Sequence, residues 1–479
     1  MLRACRSALF FCLVFVCVRQ AAAQSDADSP HVEPYIRDVT RVESWSFFQP
    51  FEGGGNPTYS FVGNRATLGV RVKSVRFDLD GAFQYAQLVG VPERAVGPNA
   101  LGSGGFYFFQ AGSSEAYQLY FKAINVRIKE LVPGLSVTAG RMGFSSGEER
   151  ASSDALVEEL KHLRLGSRMV GEFEWSIFQR AFDGGRVDLT RRTWSANASL
   201  LFPTQGTYEE SANPTISSVR VLAASVTLNA AAISHQELQL FAYHYRDRRD
   251  VRGRPDNRGP LRDLTHVSIA TFGGSHVGAF PRGSGRFDTL LWIAGQTGDW
   301  YGQPHRALSG AAEGGYRFAA PARPWIRGGL LYASGDRSPS DDRHETFFPM
   351  LPSLQRYALS TTYAPMNLRD VFAQAFVQPA ARLRARADVH QLSLANAADR
   401  WYHGSGAASR TGTFFGFSGR PSNAATSLAR VIEGTLDVSM SRVWSLNGYV
   451  GWMKGGEVVR RLFAGDRLVF GYVESVIGF

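Results

Sequence analysis

The chain has 479 residues, 52 basic against 42 acidic, with a formal net charge of +10 and 12% aromatic residues. Its three cysteines, Cys5, Cys12 and Cys17, all lie near the start, so no disulfide framework holds the remainder together. After that start no apolar run reaches the roughly 20 residues of a membrane-crossing helix; the best, Val221–Ile233, is too short and contains Asn229.

The first element is a leader. Arg3 and Arg6 form a basic start, Ser7–Val18 is apolar, and "AAAQ" (Ala21–Gln24) offers a small-residue cleavage site after Ala23, the pattern of a secretory signal peptide. Residues 1–23 are therefore expected to be removed, leaving one unit, residues 24–479, with no compositional break. Without Arg3, Arg6 and Arg19 the charge is +7. Of the 52 basic residues 47 are Arg. That bias has two readings, the codon usage of a GC-rich genome or a surface that handles anions.

From Arg65 onward, alternating segments recur between Gly, Pro, Asn and Asp clusters, the pattern of strands and turns. "RATLGVRVK" (Arg65–Lys73) sets Ala66, Leu68, Val70 and Val72 against Arg65, Arg71 and Lys73. "VRFDLDGAFQYAQ" follows with Arg76, Asp78, Asp80 and Gln84 on one face, predicting a tight hairpin. "AYQLYFK", "LSVTAGRM", "TWSANASL", "ELQLFAYHY", "DTLLWIAGQ", "WIRGGLLYAS" and "VFAQAFVQ" continue the series, and "TLDVSMSR", "SLNGYVGWM" and "RLVFGYVESVIGF" close it. "DALVEELKHLR" (Asp154–Arg164) differs: Leu156, Leu160 and Leu163 stand at helical spacing behind a capping Asp154, predicting a short amphipathic helix within a loop.

"RLRARADVH" (Arg382–His390) shows why the alternation matters. Arg382, Arg384, Arg386, Asp388 and His390 occupy one face; Leu383, Ala385, Ala387 and Val389 the other. A soluble sandwich also alternates. A leader before a cysteine-free chain, aromatic residues near strand ends (Tyr85, Tyr117, Trp194, Tyr245, Trp325, Tyr332) and a terminal Phe479 on an alternating strand favour an outer-membrane barrel. In lipid an open sheet edge is not tolerated, so the barrel must close. An arginine turned toward lipid near the midplane costs about 2–4 kcal/mol, which assigns the ionic face to the lumen.

Four stretches resemble the alginate export family of outer-membrane porins. They are "AGRMGFSSGEER" (Ala139–Arg150), "RMVGEFEWSIFQRAFDGGRV" (Arg168–Val187), "YASGDRSPSDDRHETFFPMLP" (Tyr332–Pro352) and "MNLRDVFAQAFVQPAARLRARADVHQLSLANAADRWY" (Met366–Tyr402). The Arg-x-Phe-Asp-Gly-x-Arg core of the second is the most specific match. The resemblance implies a monomeric barrel of eighteen antiparallel strands with long extracellular loops and a positively charged pore for an anionic polyuronate. Two departures stand out: an insertion between Arg150 and Arg168, and Thr435 in "EGTLD" where the family shows an inward acid.

The expected pore-lining, anion-binding set is Arg65, Arg71, Arg76, Lys122, Arg141, Arg382, Arg384, Arg386, Asp388 and His390, a ladder of weak carboxylate sites. The bland alternative is Arg–Asp pairing that holds the wall, with Asp78, Asp80 and Asp388 as partners. Arg180, Phe182, Asp183, Gly184 and Arg186 read as a turn. Asp336, Asp341, Asp342 and Glu345 could gather Ca²⁺, although Arg337 and Arg343 intrude and the spacing is not that of an EF-hand. "GFSSG" (Gly143–Gly147) matches a nucleophile elbow only formally. Neither cofactor nor nucleic-acid partner is expected. The leading reading is a non-enzymatic outer-membrane channel for an anionic polysaccharide, oligosaccharide or small carboxylate, with outer-membrane lipid and, through Phe479, the barrel-assembly machinery as partners. The alternatives are a lipid-acting barrel enzyme, for which His244 and His390 lie on candidate strands but neither has a recognisable Ser partner, and a soluble secreted polysaccharide binder.

Overall fold

A computed structural model describes residues 30–98, 103–251, 253–256, 266–412 and 414–479; the expected leader lies outside them. Eighteen strands form a single antiparallel sheet. In chain order they are β1 (His31–Ser46), β2 (Thr58–Lys73), β3 (Phe77–Val89), β4 (Glu115–Ile128), β5 (Leu135–Met142), β6 (Phe182–Thr190), β7 (Trp194–Pro203), β8 (Val219–Leu228) and β9 (Gln236–Asp247). Then come β10 (Val267–Arg282), β11 (Gly285–Trp300), β12 (Gln303–Arg317), β13 (Trp325–Ala333), β14 (Leu368–Ala380) and β15 (Leu383–Leu394). A small separate hairpin, β16 (Arg400–Gly404) and β17 (Phe417–Pro421), precedes β18 (Ser427–Ser439), β19 (Trp444–Gly455) and β20 (Arg467–Gly478). Each barrel strand pairs with the next, and β1 pairs with β20 from Arg37↔Gly478 to Ser46↔Val469, which closes the cylinder. No backbone edge is left facing lipid along that seam.

Connections at one end are short, residues 74–76, 283–284 and 381–382; at the other, residues 143–181, 334–367 and 395–426 are long. Short periplasmic turns and long extracellular loops are the asymmetry of outer-membrane barrels. Alternation sorts the two faces. On β15, Val389 is half exposed on the outer wall while Asp388 and His390 are buried inside. The aromatic expectation holds in part. Tyr85, Tyr117, Trp194 and Tyr332 share the outer face with exposed aliphatics, but Tyr245 and Trp325 point inward and are fully buried. They belong to the odd, luminal positions of β9 and β13, where strand parity outweighs nearness to a strand end.

Five barrel strands escaped the alternation reading: β1, β6, β8, β10 and β12. Glycine hides the pattern in β10 (Gly273, Gly274, Gly278) and β12 (Gly310, Gly314, Gly315). In β8 the luminal side is Val, Ala, Ser and Thr, so it reads as continuously apolar. The expected Arg-x-Phe-Asp-Gly turn is instead the entrance of β6. Gly184 does take positive φ, +153°, because a Cβ there would stand 1.9 Å from the Leu200 carbonyl oxygen.

Candidate functional site: the occupied lumen

The wall leads directly into the lumen. β5 stops at Met142 and β6 resumes at Phe182; the chain between them enters the bore. Asp154 caps helix α1 (Ala155–Leu160) by accepting from the backbone N–H groups of Leu156 at 3.0 Å and Val157 at 3.3 Å, and the helix runs on as one wider π turn, Lys161–Leu165. This is the helix that the capping and leucine spacing predict, now buried along Leu156, Val157 and Leu160.

Both walls hold the inward segment. On the β9–β15 side Lys161 pairs with Glu237 at 2.9 Å, Asp154 with Arg286 at 2.5 Å, and Glu159 with Arg317 at 2.5 Å and Arg384 at 2.6 Å. Arg164 is fully buried; it donates to Glu313 at 3.0 Å and Gln374 at 2.9 Å, and Arg327 reaches the same Glu313 at 2.9 Å. On the β1–β4 side Arg41 donates to the Trp175 carbonyl at 2.8 Å, Arg65 to that of Ser176 at 2.5 Å, and Lys122 to that of Arg180 at 2.6 Å.

Backbone carbonyls in an irregular segment at membrane depth need donors, and a guanidinium carries five. The same device fastens the loops stacked above. Arg180 donates to the carbonyls of Ser405 (2.6 Å) and Ala407 (3.3 Å), and Arg249 to those of Ser409 (3.0 Å) and Phe415 (2.7 Å). The 334–367 loop zips onto the inward segment through Gly171 N–H to Leu351 O (2.9 Å) and Leu351 N–H to Met169 O (3.0 Å). Phe48, Phe173, Phe348, Met350 and Trp401 then fill the extracellular half of the bore as a continuous apolar core.

The anticipated site residues divide accordingly. Arg65 and Lys122 face the lumen but hold the inward segment; Lys122 also pairs with Glu172 at 2.7 Å. Arg384 is tied to Glu159, and Arg386 bonds Asp388 on its own strand. His390 Nδ1 meets both carboxylate oxygens of Asp370 at 3.0 Å. Arg71 stands at the wet periplasmic end, 3.7 Å from Asp80, its side chain 49% exposed. Three members lie elsewhere. Arg76 and Arg382 are exposed in the turns before β3 and β15, where the strand pattern had been extended by one or two residues too many. Arg141 shares the outward parity of Val137 and Ala139; its charge is met by both oxygens of Asp183 at 2.7 and 2.8 Å and by Asn213 at 2.8 Å. Sequence reasoning missed the buried anchors Arg41, Arg164, Arg180, Arg249 and Arg327. Only Arg41 and Arg327 stand on strands, and neither β1 nor a charged β13 face was singled out.

Beside the inward segment, on the β2–β6 side, a cavity of about 340 Å³ opens at the periplasmic end, lined by Arg71, Lys73, Arg127 and Arg186 against Asp78, Asp80 and Asp188. Arg186 is bound to Asp188 at 2.7 Å. The side wall also gathers Asp388, His390 and Glu433, whose ligand atoms lie within 4.8 Å of one another, an arrangement that could hold a divalent ion. Among the described residues this is the one such group; Asp336, Asp341 and Asp342 do not converge. Glu433 and Asp437 flank Thr435 on the luminal face, so acids adjoin the position where the resemblance lacks one.

No curated protein matches the chain. Solved structures do. OpdK of Pseudomonas aeruginosa is 8% identical with a TM-score of 0.56, over 93% of this chain and 99% of its own. A BenF-like porin of Pseudomonas fluorescens Pf-5 is 9% identical with a TM-score of 0.58, over 94% and 98%. OccK2 (OpdF) of Pseudomonas aeruginosa, solved in complex with glucuronate, is 9% identical with a TM-score of 0.56, over 94% and 98%. At these identities the likeness is one of fold, the outer-membrane porin barrel. The family model described as Alginate export matches residues 115–462, from β4 through the inward segment to the last extracellular loop. The chain is a bacterial outer-membrane β-barrel and belongs to the Alginate export family.

Proposed function

We propose that this barrel is a channel for anionic solutes, a uronate, an oligouronate or a small carboxylate. The carrying observation is the periplasmic end of the bore on its β1–β4 side. Arg37, Arg71, Lys73 and Arg127 are exposed there on luminal positions, and Arg37 has no carboxylate within ion-pair distance among the described residues. Partly screened, wet guanidinium groups suit a conducting path, since a pore must bind an ion firmly enough to admit it and weakly enough to release it. The glucuronate in the OccK2 structure, a barrel of the same fold, supports a carboxylate as the ligand class.

Planar-bilayer recordings test the proposal. The wild-type chain is expected to be anion-selective. Arg37→Gln/Arg71→Gln/Arg127→Gln is expected to move the reversal potential toward cation selectivity, with Arg76→Gln, in the turn, as the silent control. A cation-selective wild type overturns the proposal.

One contact favours a second reading. His244 Nε2 lies 3.1 Å from Ser268 Oγ on the outer wall near the extracellular rim, where a lipid hydrolase would place such a pair. A nucleophile–base pair also needs a third group to orient the base, and among the described residues none holds His244 Nδ1. Release of fatty acid by the purified wild type, abolished by Ser268→Ala, would establish that reading instead.

A further inference from the structure

The outer wall is asymmetric in charge. At the extracellular strand ends, outward positions carry Arg220 (β8), Arg246 (β9), Arg306 (β12), Arg369 (β14), Arg430 (β18) and Arg467 (β20). At the periplasmic ends, the corresponding outward positions carry Phe287, Tyr316, Ile326, Val377, Leu383 and Trp444. Of the cations at that end, Arg382 lies in a turn and Arg282 is the last residue of β10, the one exposed strand-end arginine there of outward parity among the described residues. Codon bias toward arginine would not distinguish the two rims.

The densest part of this belt is built against itself. Arg220 and Arg246 stand directly opposite each other on β8 and β9. Like charges in that relation repel, yet no carboxylate lies within ion-pair distance of either among the described residues, and the Nε of each is without a partner. Of the neighbouring groups, His244 is engaged with Ser268, and Asp299, on the outward face of β11, is engaged with His266 at 3.3 Å.

Beneath lies an apolar groove of about 810 Å³ on the same face, lined by Val226, Leu240, Ile293, Leu308, Leu330 and Tyr332. Gly274 and Gly310 form its floor, where the wall lacks side chains. Arg306 precedes Leu308 by two residues, about 7 Å of strand. Arg306 thus borders the groove, while Arg220 and Arg246 stand six residues above Val226 and Leu240, about 20 Å of strand, the relation of a headgroup to its acyl chains.

We propose that the β8–β13 face is a docking site for a phosphorylated glycolipid of the outer leaflet. Its phosphate groups lie between Arg220, Arg246 and Arg306, and its acyl chains occupy the groove. Guanidinium groups match phosphate oxygens in a planar fork, and phosphate between Arg220 and Arg246 removes their repulsion. The inference concerns the outer wall and is independent of what passes through the bore.

The test is native mass spectrometry of the purified full chain with bis-phosphorylated lipid A, its dephosphorylated form, or phosphatidylglycerol. The wild type is expected to retain the bis-phosphorylated lipid in preference to both others. Arg220→Gln/Arg246→Gln/Arg306→Gln is expected to lose about a hundredfold in affinity. Arg430→Gln/Arg467→Gln, on β18 and β20 away from the groove, is expected to bind as the wild type does. Folding of each variant is read from heat-modifiable migration. Should the triple variant not fold, Gly310→Leu, which fills the groove, serves in its place and is expected to weaken retention. Retention undiminished in a folded groove or cation variant overturns the proposal, as does equal retention of the dephosphorylated lipid or of phosphatidylglycerol.

Discussion

The two sides of the bore use the same residue in opposite ways. On the β9–β15 side, guanidinium groups are buried and bound to the inward segment or to shared carboxylates, as Arg164 and Arg327 are to Glu313. On the β1–β4 side, at the periplasmic end, Arg37, Arg71 and Arg127 stay exposed, with Arg71 near Asp80 and Arg127 donating to Ser136. Strand parity brings Arg327, Arg37, Arg71 and Arg127 to the lumen, while Arg164 arrives on the inward segment; what the wall arginines do is decided by whether a loop descends to meet them. An arginine-rich wall is therefore not by itself a conduction path, since much of the positive charge is spent in making irregular backbone tolerable inside a membrane.

The comparison is broken most directly by removing what fills the β9–β15 side. Replacing residues 153–165 by a short Gly/Ser linker is expected to raise single-channel conductance severalfold, with the periplasmic cations untouched. Unchanged conductance would show that the inward segment is not the barrier.

Arg164→Ala is the next largest. Removing one partner of a buried ion pair costs about 3–5 kcal/mol; here Glu313 keeps Arg327, so the lower end of that range is expected. Hydrogen exchange over residues 155–170 should accelerate while the β9–β15 wall keeps its protection, and brief openings should appear in bilayer records. Uniform acceleration would mean that Arg164 supports the wall rather than the segment.

The smallest effect sharpens the contrast within the loops themselves. Burial pushes the Asp399 carboxyl up to about 6, against hydrogen bonds from Thr346 (2.6 Å), Tyr402 (2.5 Å) and the N–H groups of Asp336 and Arg400 (both 2.8 Å). A folded value above the ordinary 3.8 means that the folded loop retains a proton the unfolded loop has released. Its stabilisation is complete below pH 4 and is lost as pH rises through 6. Residues 336–346 and 399–402 should exchange faster at pH 7.5 than at pH 5 after intrinsic-rate correction, and Asp399→Asn should flatten that difference.

The sequence carried the barrel well and the occupied lumen poorly, for a physical reason. Alternation is local: it shows that Arg384 and Arg386 face inward, because lipid penalises the reverse arrangement. Whether such a side chain meets water or a folded-in loop depends on contacts as distant along the chain as Arg164 with Gln374, which no local period encodes. Arg141 shows the limit from the other side. Its outward direction follows from strand parity, but its tolerability rests on Asp183 and on Asn213 from a different loop. The helix at Ala155 was legible because cap and leucine spacing lie within three turns.

Arg41 joins three parts of the molecule. It stands on β1, bonds Glu474 of β20 at 3.1 Å across the closing seam, and holds the Trp175 carbonyl with its guanidinium 3.4 Å from that indole. The final stitch of the cylinder is also a grip on its stopper. One guanidinium therefore ties the closing of the wall to the seating of the stopper.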